Sequence, residues 1–315
     1  MPADHIPCTQ TVFRPAAVDV LPVFSGIFQQ CKIPAACVRQ VDGTRILSAC
    51  IMNLSKGDGK HMALLEVRNL KKIYSSRFSG TQVQALDNVH FDVQEGEFVA
   101  IMGESGSGKT TLLNILAALD RPTAGQVLLN GRDLAKISGK ELAAFRRSHL
   151  GFVFQDFNLL DTFTNKDNAL LPLVLAKEKY PVMNRKLQPL ARDLGISAVL
   201  NKYPYEISGG QKQRVSITRA LITDPEILLA DEPTGALDSR SSEDVLNLFT
   251  RINSSGQTIL MVTHSMKAAS YASRVLFIKD GRLFHQIYKG DRSNSELYED
   301  ISRTLTLMSR KGEPA

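Results

Sequence analysis

Residues Gly103-Glu104-Ser105-Gly106-Ser107-Gly108-Lys109-Thr110 have the G-x4-G-K-T spacing of a loop that wraps phosphate. Its glycines let the backbone close around an anion, with N–H groups turned inward at the positive end of the following helix. Lys109 then brings a mobile ammonium to the β- and γ-phosphates, the Thr110 hydroxyl can ligate Mg²⁺, and Thr111 continues the phosphate-binding stretch. This chemistry is nucleotide binding, and the motif leaves the reaction open.

A second element narrows it. The apolar run Ile227-Leu228-Leu229-Ala230 ends in Asp231 and Glu232, just before Pro233. Asp231 suits the Mg²⁺ shell, and Glu232 suits a base or a water-orienting group beside the γ-phosphate. An Asp-Glu pair is common on surface loops; its place at the end of a buried run gives it weight.

The third element, Ile207-Ser208-Gly209-Gly210-Gln211, opens a helix carrying Lys212, Gln213, Arg214 and Arg219. Ser-Gly-Gly at a helix start is another anion-binding terminus. One nucleotide does not readily need two separate phosphate-binding helix ends from one chain, whereas two chains facing head to tail can use both.

These residues need a scaffold that delivers them to one edge. Four short apolar runs, Glu97 to Met102, Leu150 to Phe154, Glu226 to Ala230 and Thr258 to Val262, read as strands buried between helical layers. They lead into Gly103, Gln155, Asp231 with Glu232, and His264 respectively. In an open parallel sheet ligands bind beyond the carboxyl ends of the strands, so all four polar ends face one rim. Amphipathic stretches at Lys109 to Leu119, Gly139 to Arg147, Gln211 to Ile222 and Ser242 to Asn253 lie between them, and the alternation argues α/β. Residues 156–210 interrupt it with a helical insert and a turn-rich YPYEISGGQ.

In this order the motifs resemble the nucleotide-binding subunit of an ATP-binding cassette (ABC) transporter, over roughly Leu64 to Gly290. The resemblance implies a P-loop NTPase: a RecA-like parallel sheet core, an N-terminal antiparallel β subdomain and an inserted α-helical subdomain at about 156–212. It implies ATP and Mg²⁺ as cofactors, with hydrolysis of ATP to ADP and phosphate. Residues 103–111 would bind the nucleotide, Tyr74 would stack on adenine, and Gln155 would sense Mg²⁺ and the membrane partner, joining Thr110 and Asp231 at the metal. Residues 207–211 match the signature motif, with Ile207 where Leu is usual, a volume-conserving change. Ala236-Leu237-Asp238 matches the D-loop, and His264 the histidine that contacts the γ-phosphate. The implied catalytic set is Glu232, His264, Lys109 and Gln155, with Ser208, Gly209, Gly210, Gln211 and Asp238 closing over the nucleotide of a second subunit. Taken alone, Tyr74 reads as a half-buried strand aromatic, His264 as a core histidine and Gln155 as a surface amide; position relative to the phosphate loop promotes each of them.

The stretches ALDRPTAGQVLLNGRDL (118–134) and DEPTGALDSRSSEDVL (231–246) are similar to the branch containing macrolide exporters, lipoprotein-release systems and bacitracin-type antimicrobial-peptide systems. The segment HQIYKGDRSNSELYEDISRTL (285–305), with Leu297, Ile301 and Leu305 four apart, is similar to the tails of the bacitracin-type subunits. The implied assembly is a head-to-tail homodimer on a separate integral membrane permease, at the cytoplasmic face of the membrane. A sensor histidine kinase is a further candidate partner. The alternatives are a lipoprotein-release or macrolide-export ATPase, and a soluble non-transport ABC protein acting on nucleic acid or the ribosome. One phosphate loop and one signature, with no long coiled-coil insertion or paired C-x2-C motifs, argue against the last, and no nucleic-acid partner is expected.

Composition agrees with a globular chain: 315 residues, 43% apolar, 22% charged, with a net charge of +6 too dispersed to argue for nucleic acid. Cys8, Cys31, Cys37 and Cys50 all precede Met62, in a spacing that lacks zinc-ribbon knuckles. Residues 1–61 show no clear period, and Ala16 to Phe28 is interrupted by Asp19, Pro22 and Gly26, so that stretch does not span a bilayer. They read as an atypical extension, disordered or a start-site artefact, followed by an ATP-binding domain at 62–290 and a helical tail at 291–315.

Overall fold

The computed structural model describes residues 63–75 and 82–310; the reading of residues 1–61 as an extension, and the last five residues of the tail, lie outside them. Strand β1 (Leu65–Ser75) pairs antiparallel with β2 (Gln82–Val93), and β3 (Phe98–Met102) leads through the glycine loop into helix α1 (Lys109–Leu116). Strands β4 (Ala124–Leu129) and β5 (Arg132–Asp133) complete a four-stranded antiparallel sheet in the order β2-β1-β4-β5. Helix α2 (Gly139–His149) precedes β6 (Leu150–Val153), and α3 (Asn165–Leu175) and α4 (Tyr180–Asp193) form the insert. There follow α5 (Gly209–Leu221), β7 (Ile227–Asp231), α6 (Ser239–Ser254), β8 (Thr258–Val262), α7 (Met266–Ala269), β9 (Arg274–Lys279), β10 (Arg282–Tyr288) and α8 (Asn294–Arg310).

The main sheet has the order β10-β9-β3-β8-β7-β6, parallel from β9 to β6 with β10 antiparallel at the edge. Alternation along each strand divides the core in two, as the pleat requires. Val99, Ile101, Leu229, Leu260 and Val262 pack with Leu112, Leu113 and Leu116 of α1 and with the antiparallel sheet. Phe98, Ala100, Met102, Leu228 and Met261 pack on the other face with α5, α6 and α8. A third cluster joins Leu170 and Leu173 of α3, Leu187 and Ala191 of α4, and Val215 of α5. This is the P-loop NTPase architecture, with its antiparallel sheet and helical insert. Leu297 and Ile301 of α8 are fully buried and Leu305 packs beside them, so their four-residue spacing marks a face docked on the core. Among the described residues no helix is long and apolar enough to cross a membrane.

Among the helix limits that differ from the sequence expectation, three have clear local reasons. The helix expected to reach Leu119 stops at Leu116, because Ala117 caps it and Ala118 enters the left-handed region at φ 53°. The helix expected from Gln211 starts at Gly209, since Ser208 caps it, and the one expected from Ser242 starts at Ser239, since Asp238 caps it.

Register aligns the strand ends. Ile101 sits opposite Val262, Val262 opposite Asp231, and Val153 opposite Ala230, so the residues that follow each strand emerge side by side.

Candidate functional site

The glycine loop leaves β3 and enters α1 through Gly108, whose φ of 100° places an added Cβ 2.4 Å from the Ala85 carbonyl oxygen. Only glycine fits there. Gly106, at φ 78°, has nothing within 4 Å of an added Cβ, so the loop is open on that side. The first turn of α1 contains no acidic residue, and its N-terminal partial charge is not offset locally. Lys109 Nζ donates to the Gly103 and Glu104 carbonyls at 2.9 and 2.7 Å. Burial pulls its pKa below the usual lysine value, opposed by the charges of Glu232 and Asp231. Ser107 Oγ is buried without a hydrogen-bond partner.

A cleft of 390 Å³ gathers Ser105, Gly106, Gly108, Lys109, Thr110 and Thr111 with Asp231, Glu232 and His264. Burial pushes the Asp231 carboxyl up, the Glu232 charge adds to this, and Lys109 opposes it. Glu232 follows with φ 46°, a left-handed backbone uncommon outside glycine. It is held there by bonds from its own N–H to Val262 O at 2.9 Å and from Gly235 N–H to its carbonyl at 2.9 Å. Its carboxylate accepts from Thr263 Oγ1 at 3.1 Å on one oxygen and lies 2.8 Å from His264 Nδ1 on the other. Sequence reasoning passed over Thr263; the signal was its position as the first polar residue after the apolar run Thr258 to Val262.

Gln155 takes a different place. Its side chain packs over Gly235, where an added Cβ would sit 3.1 Å from it, and it is not among the residues lining the cleft. The segment after it is unusual, with Phe157 and Asn158 both left-handed at φ 63° and 48°. Arg219 of α5 holds that bend, donating to the Phe157 and Asn158 carbonyls at 2.8 and 2.5 Å.

Ser208 and Gln211 cap α5 reciprocally: Gln211 N–H donates to Ser208 Oγ at 3.3 Å, and Ser208 N–H donates to Gln211 Oε1 at 3.0 Å. Gly209 and Gly210 bring this turn against Leu237 and Ser241, at 3.3 and 3.1 Å from added Cβ atoms. Between those two, Asp238 caps α6 by accepting from Arg240 and Ser241 N–H, and bonds from Ser241 lead in holding its carboxyl below the usual range. Residues 208–211 and Asp238 thus form a neighbourhood of their own, and none of them lines the phosphate-loop cleft.

Tyr74 is 43% exposed. Its hydroxyl donates to Asp120 Oδ2 at 2.8 Å, with Thr111 also in hydrogen-bonding reach, and burial with the Asp120 bond raises its pKa. Lys72 Nζ lies 4.7 Å from the centre of its ring and donates to Asp120 Oδ1 at 2.7 Å. The ring is therefore held beside the start of α1.

The cleft can seat a nucleotide triphosphate tail: it joins a glycine loop at a helix N-terminus, the Lys109 ammonium, the Thr110 hydroxyl and the carboxylates of Asp231 and Glu232. Thr110 and Asp231 offer the oxygen donors a hard cation takes. Among the described residues no group of three or more His, Cys, Asp or Glu forms a metal cage. The fit is therefore to a cation held by one or two protein oxygens together with phosphates, the usual mode for Mg²⁺.

Comparison with known proteins agrees with this chemistry. Residues 86–235 match the family described as ABC transporter. The chain is 49% identical over 244 residues to the bacitracin export ATP-binding protein BceA of Halalkalibacterium halodurans, covering 77% of this chain and 96% of that protein. It is 44% identical over 220 residues to the macrolide export ATP-binding/permease protein MacB of Hyphomonas neptunium, covering 70% of this chain and 34% of that one. A dimeric, post-hydrolysis ATP-binding cassette, MJ0796 bound to ADP and Pi, superposes with a TM-score of 0.65 at 37% identity, covering 71% of this chain and 98% of that one.

Proposed function

The chain belongs to the ABC transporter family, and from that premise we propose that it is the ATP-hydrolysing subunit of a system that exports, removes or senses an antimicrobial peptide of the bacitracin type. The observation that carries the reading is the convergence of Lys109, Thr110, Asp231, Glu232 and His264 on one cleft at the carboxyl edge of the parallel sheet. The 49% identity to BceA along nearly its whole length supports the substrate class.

In this reading the N–H groups of residues 103–111 and the Lys109 ammonium hold the phosphates of ATP, and Tyr74 offers its ring to the base. Thr110 and Asp231 would hold Mg²⁺, and Gln155, against Gly235 beside the cleft, is the further residue proposed to sense it. When bound, Mg²⁺ neutralises phosphate charge. Glu232 orients and polarises the attacking water, and its bonds to Thr263 and His264 fix the direction of the carboxylate. Lys109 and His264 offset charge that develops on the γ-phosphoryl group.

Ser208, Gly209, Gly210, Gln211 and Asp238 serve a second copy of the chain. That none of them lines the chain's own phosphate-loop cleft supports a head-to-tail homodimer, as does the dimeric cassette it resembles. ATP holds such a dimer closed and hydrolysis releases it.

A separate permease is the proposed membrane partner. A groove of 460 Å³ lies where the helical insert meets the sheet, lined by Phe152, Phe154, Leu171, Pro172 and Leu175 with Arg219. It suits an apolar helix presented from the membrane. We place the subunit peripherally on the cytoplasmic face, where ATP and such a helix meet. A sensor histidine kinase is proposed as a further partner on the sequence resemblance alone. The proposed division is an ATP-binding domain at 62–290, with its helical subdomain at about 156–212, and a tail at 291–315.

Deleting the gene tests the function. Cells lacking it should become sensitive to bacitracin, and the parental gene, but not its Glu232→Gln form, should restore resistance. Sensitivity to a macrolide without any change towards bacitracin would favour the macrolide-export reading that the MacB likeness supports.

A further inference from the structure

Gln213 lies in α5, fully buried, between two loops that the reaction uses. Its Nε2 donates to the Pro233 carbonyl at 2.6 Å and to the Phe154 carbonyl at 3.3 Å. Pro233 directly follows Glu232, and Phe154 directly precedes Gln155. Both partners are carbonyl oxygens, which only accept, so the amide nitrogen must be the end that faces them. The other end, Oε1, is buried with no hydrogen-bond partner. An amide kept in a site where half of it is unsatisfied is there for its two donors.

We propose that Gln213 is a positioning residue for ATP hydrolysis: it ties the turn carrying Glu232 and the strand end carrying Gln155 to the helix that begins at Ser208. The inference rests on the ATPase reading above. Glu232 needs such support, because its left-handed backbone persists only where surrounding bonds over-determine it. Two of those bonds, to Val262 O and from Gly235 N, are backbone bonds at Glu232 itself. The bond from Gln213 to Pro233 supplies a third, and ties that turn to a side chain of α5. In a head-to-tail dimer it also links the segment that meets the partner's nucleotide to the chain's own water-orienting carboxylate, so closure on one site is transmitted to Glu232 of the same chain.

The test uses the full chain and two variants made in parallel, Gln213→Met and Gln213→Leu, which keep bulk and remove the donors. Circular dichroism, ATP affinity and steady-state hydrolysis are measured for each. The expected result is a folded protein with ATP Kd within about 2-fold of the parent and kcat lower by about 10-fold or more, since small misplacements of a reacting group act on rate. Parental kcat in a folded variant would overturn the proposal. So would proportional loss of affinity and rate, which indicates general loosening, or failure of both variants to fold, which assigns the amide to the fold alone. The parent is the control: absence of hydrolysis there overturns the ATPase reading and this inference together, whereas parental turnover in the variants overturns only the inference.

Discussion

Glu232 and His264, 32 residues apart in the chain, meet at 2.8 Å between Oε1 and Nδ1 at the ends of neighbouring parallel strands. Thr263 adds a hydroxyl to the other carboxylate oxygen at 3.1 Å. The Glu232 side chain is only 14% exposed while that of His264 is 73% exposed, so the histidine is the outer member of the pair, set between the carboxylate and whatever enters the cleft.

Replacing Glu232 by Gln keeps the shape of this arrangement and removes the base. ATP should still bind, turnover should fall by about 10²- to 10³-fold, and an ATP-bound dimer should accumulate. Phosphate release and size-exclusion chromatography with ATP read the two effects, and hydrolysis at the parental rate would end the assignment.

Asp231 carries a stability cost that depends on pH. Its folded pKa is raised above the ordinary 3.8 by burial and by Glu232. Between the unfolded and folded values the folded state binds more protons, so stability falls as pH rises through that window, and above it the full cost remains. Asp231→Asn should therefore melt a few degrees above the parent near neutral pH without nucleotide. The gap should narrow as pH is lowered towards about 4. The same variant should lose stabilisation by ATP with Mg²⁺. Thermal unfolding scans at two pH values check it, and a lower melting temperature at neutral pH would contradict it.

Two glycines of the phosphate loop should respond differently to alanine. At Gly108 the new Cβ meets the Ala85 carbonyl oxygen at 2.4 Å in a left-handed backbone, and a carbonyl in a pairing strand cannot swing aside. Gly108→Ala should cost about 2 kcal/mol or more and weaken ATP binding. Gly106→Ala, with open space around its Cβ, should cost nearer 1 kcal/mol. Denaturant titrations rank the pair, and equal costs would show that the contact with Ala85 is unimportant.

The groove between the insert and the sheet is testable through Leu175, which is 61% exposed. A charge there should leave stability within about 0.5 kcal/mol. Leu175→Glu should no longer co-purify with the permease from detergent extracts. Undiminished capture would move the permease contact elsewhere.

Much of the site was legible because its chemistry is local. Gly103 to Thr110 is one unbroken strand-loop-helix element, in which glycine spacing, the lysine and the helix start depend on neighbours a few residues away. The buried strands were legible from continuous apolar runs, since a parallel strand covered on both faces has no polar side to show. Ser208 and Asp238 cap helices that begin two or three residues before the expected starts, because the cap bonds extend each helix into the loop.

Other features were not legible in that way. The pattern of residues identifies strands that lead towards Gly103, Gln155, Asp231 with Glu232, and His264, but the order β9-β3-β8-β7-β6 is set by which buried faces match across crossovers. That order puts Thr263 and His264 on Glu232, while the pairing of β1 with β4 brings Tyr74 to Asp120 and the packing of α5 lets Arg219 and Gln213 hold carbonyls near Gln155 and Glu232. It also sets residues 208–211 apart from the chain's own cleft. Residue type and short spacing decide which chemistry the chain can do, because capping bonds and phosphate-loop geometry act within a turn or two. Long-range burial decides which groups meet, because each such contact is made only after the chain between them has been folded away and its entropy lost.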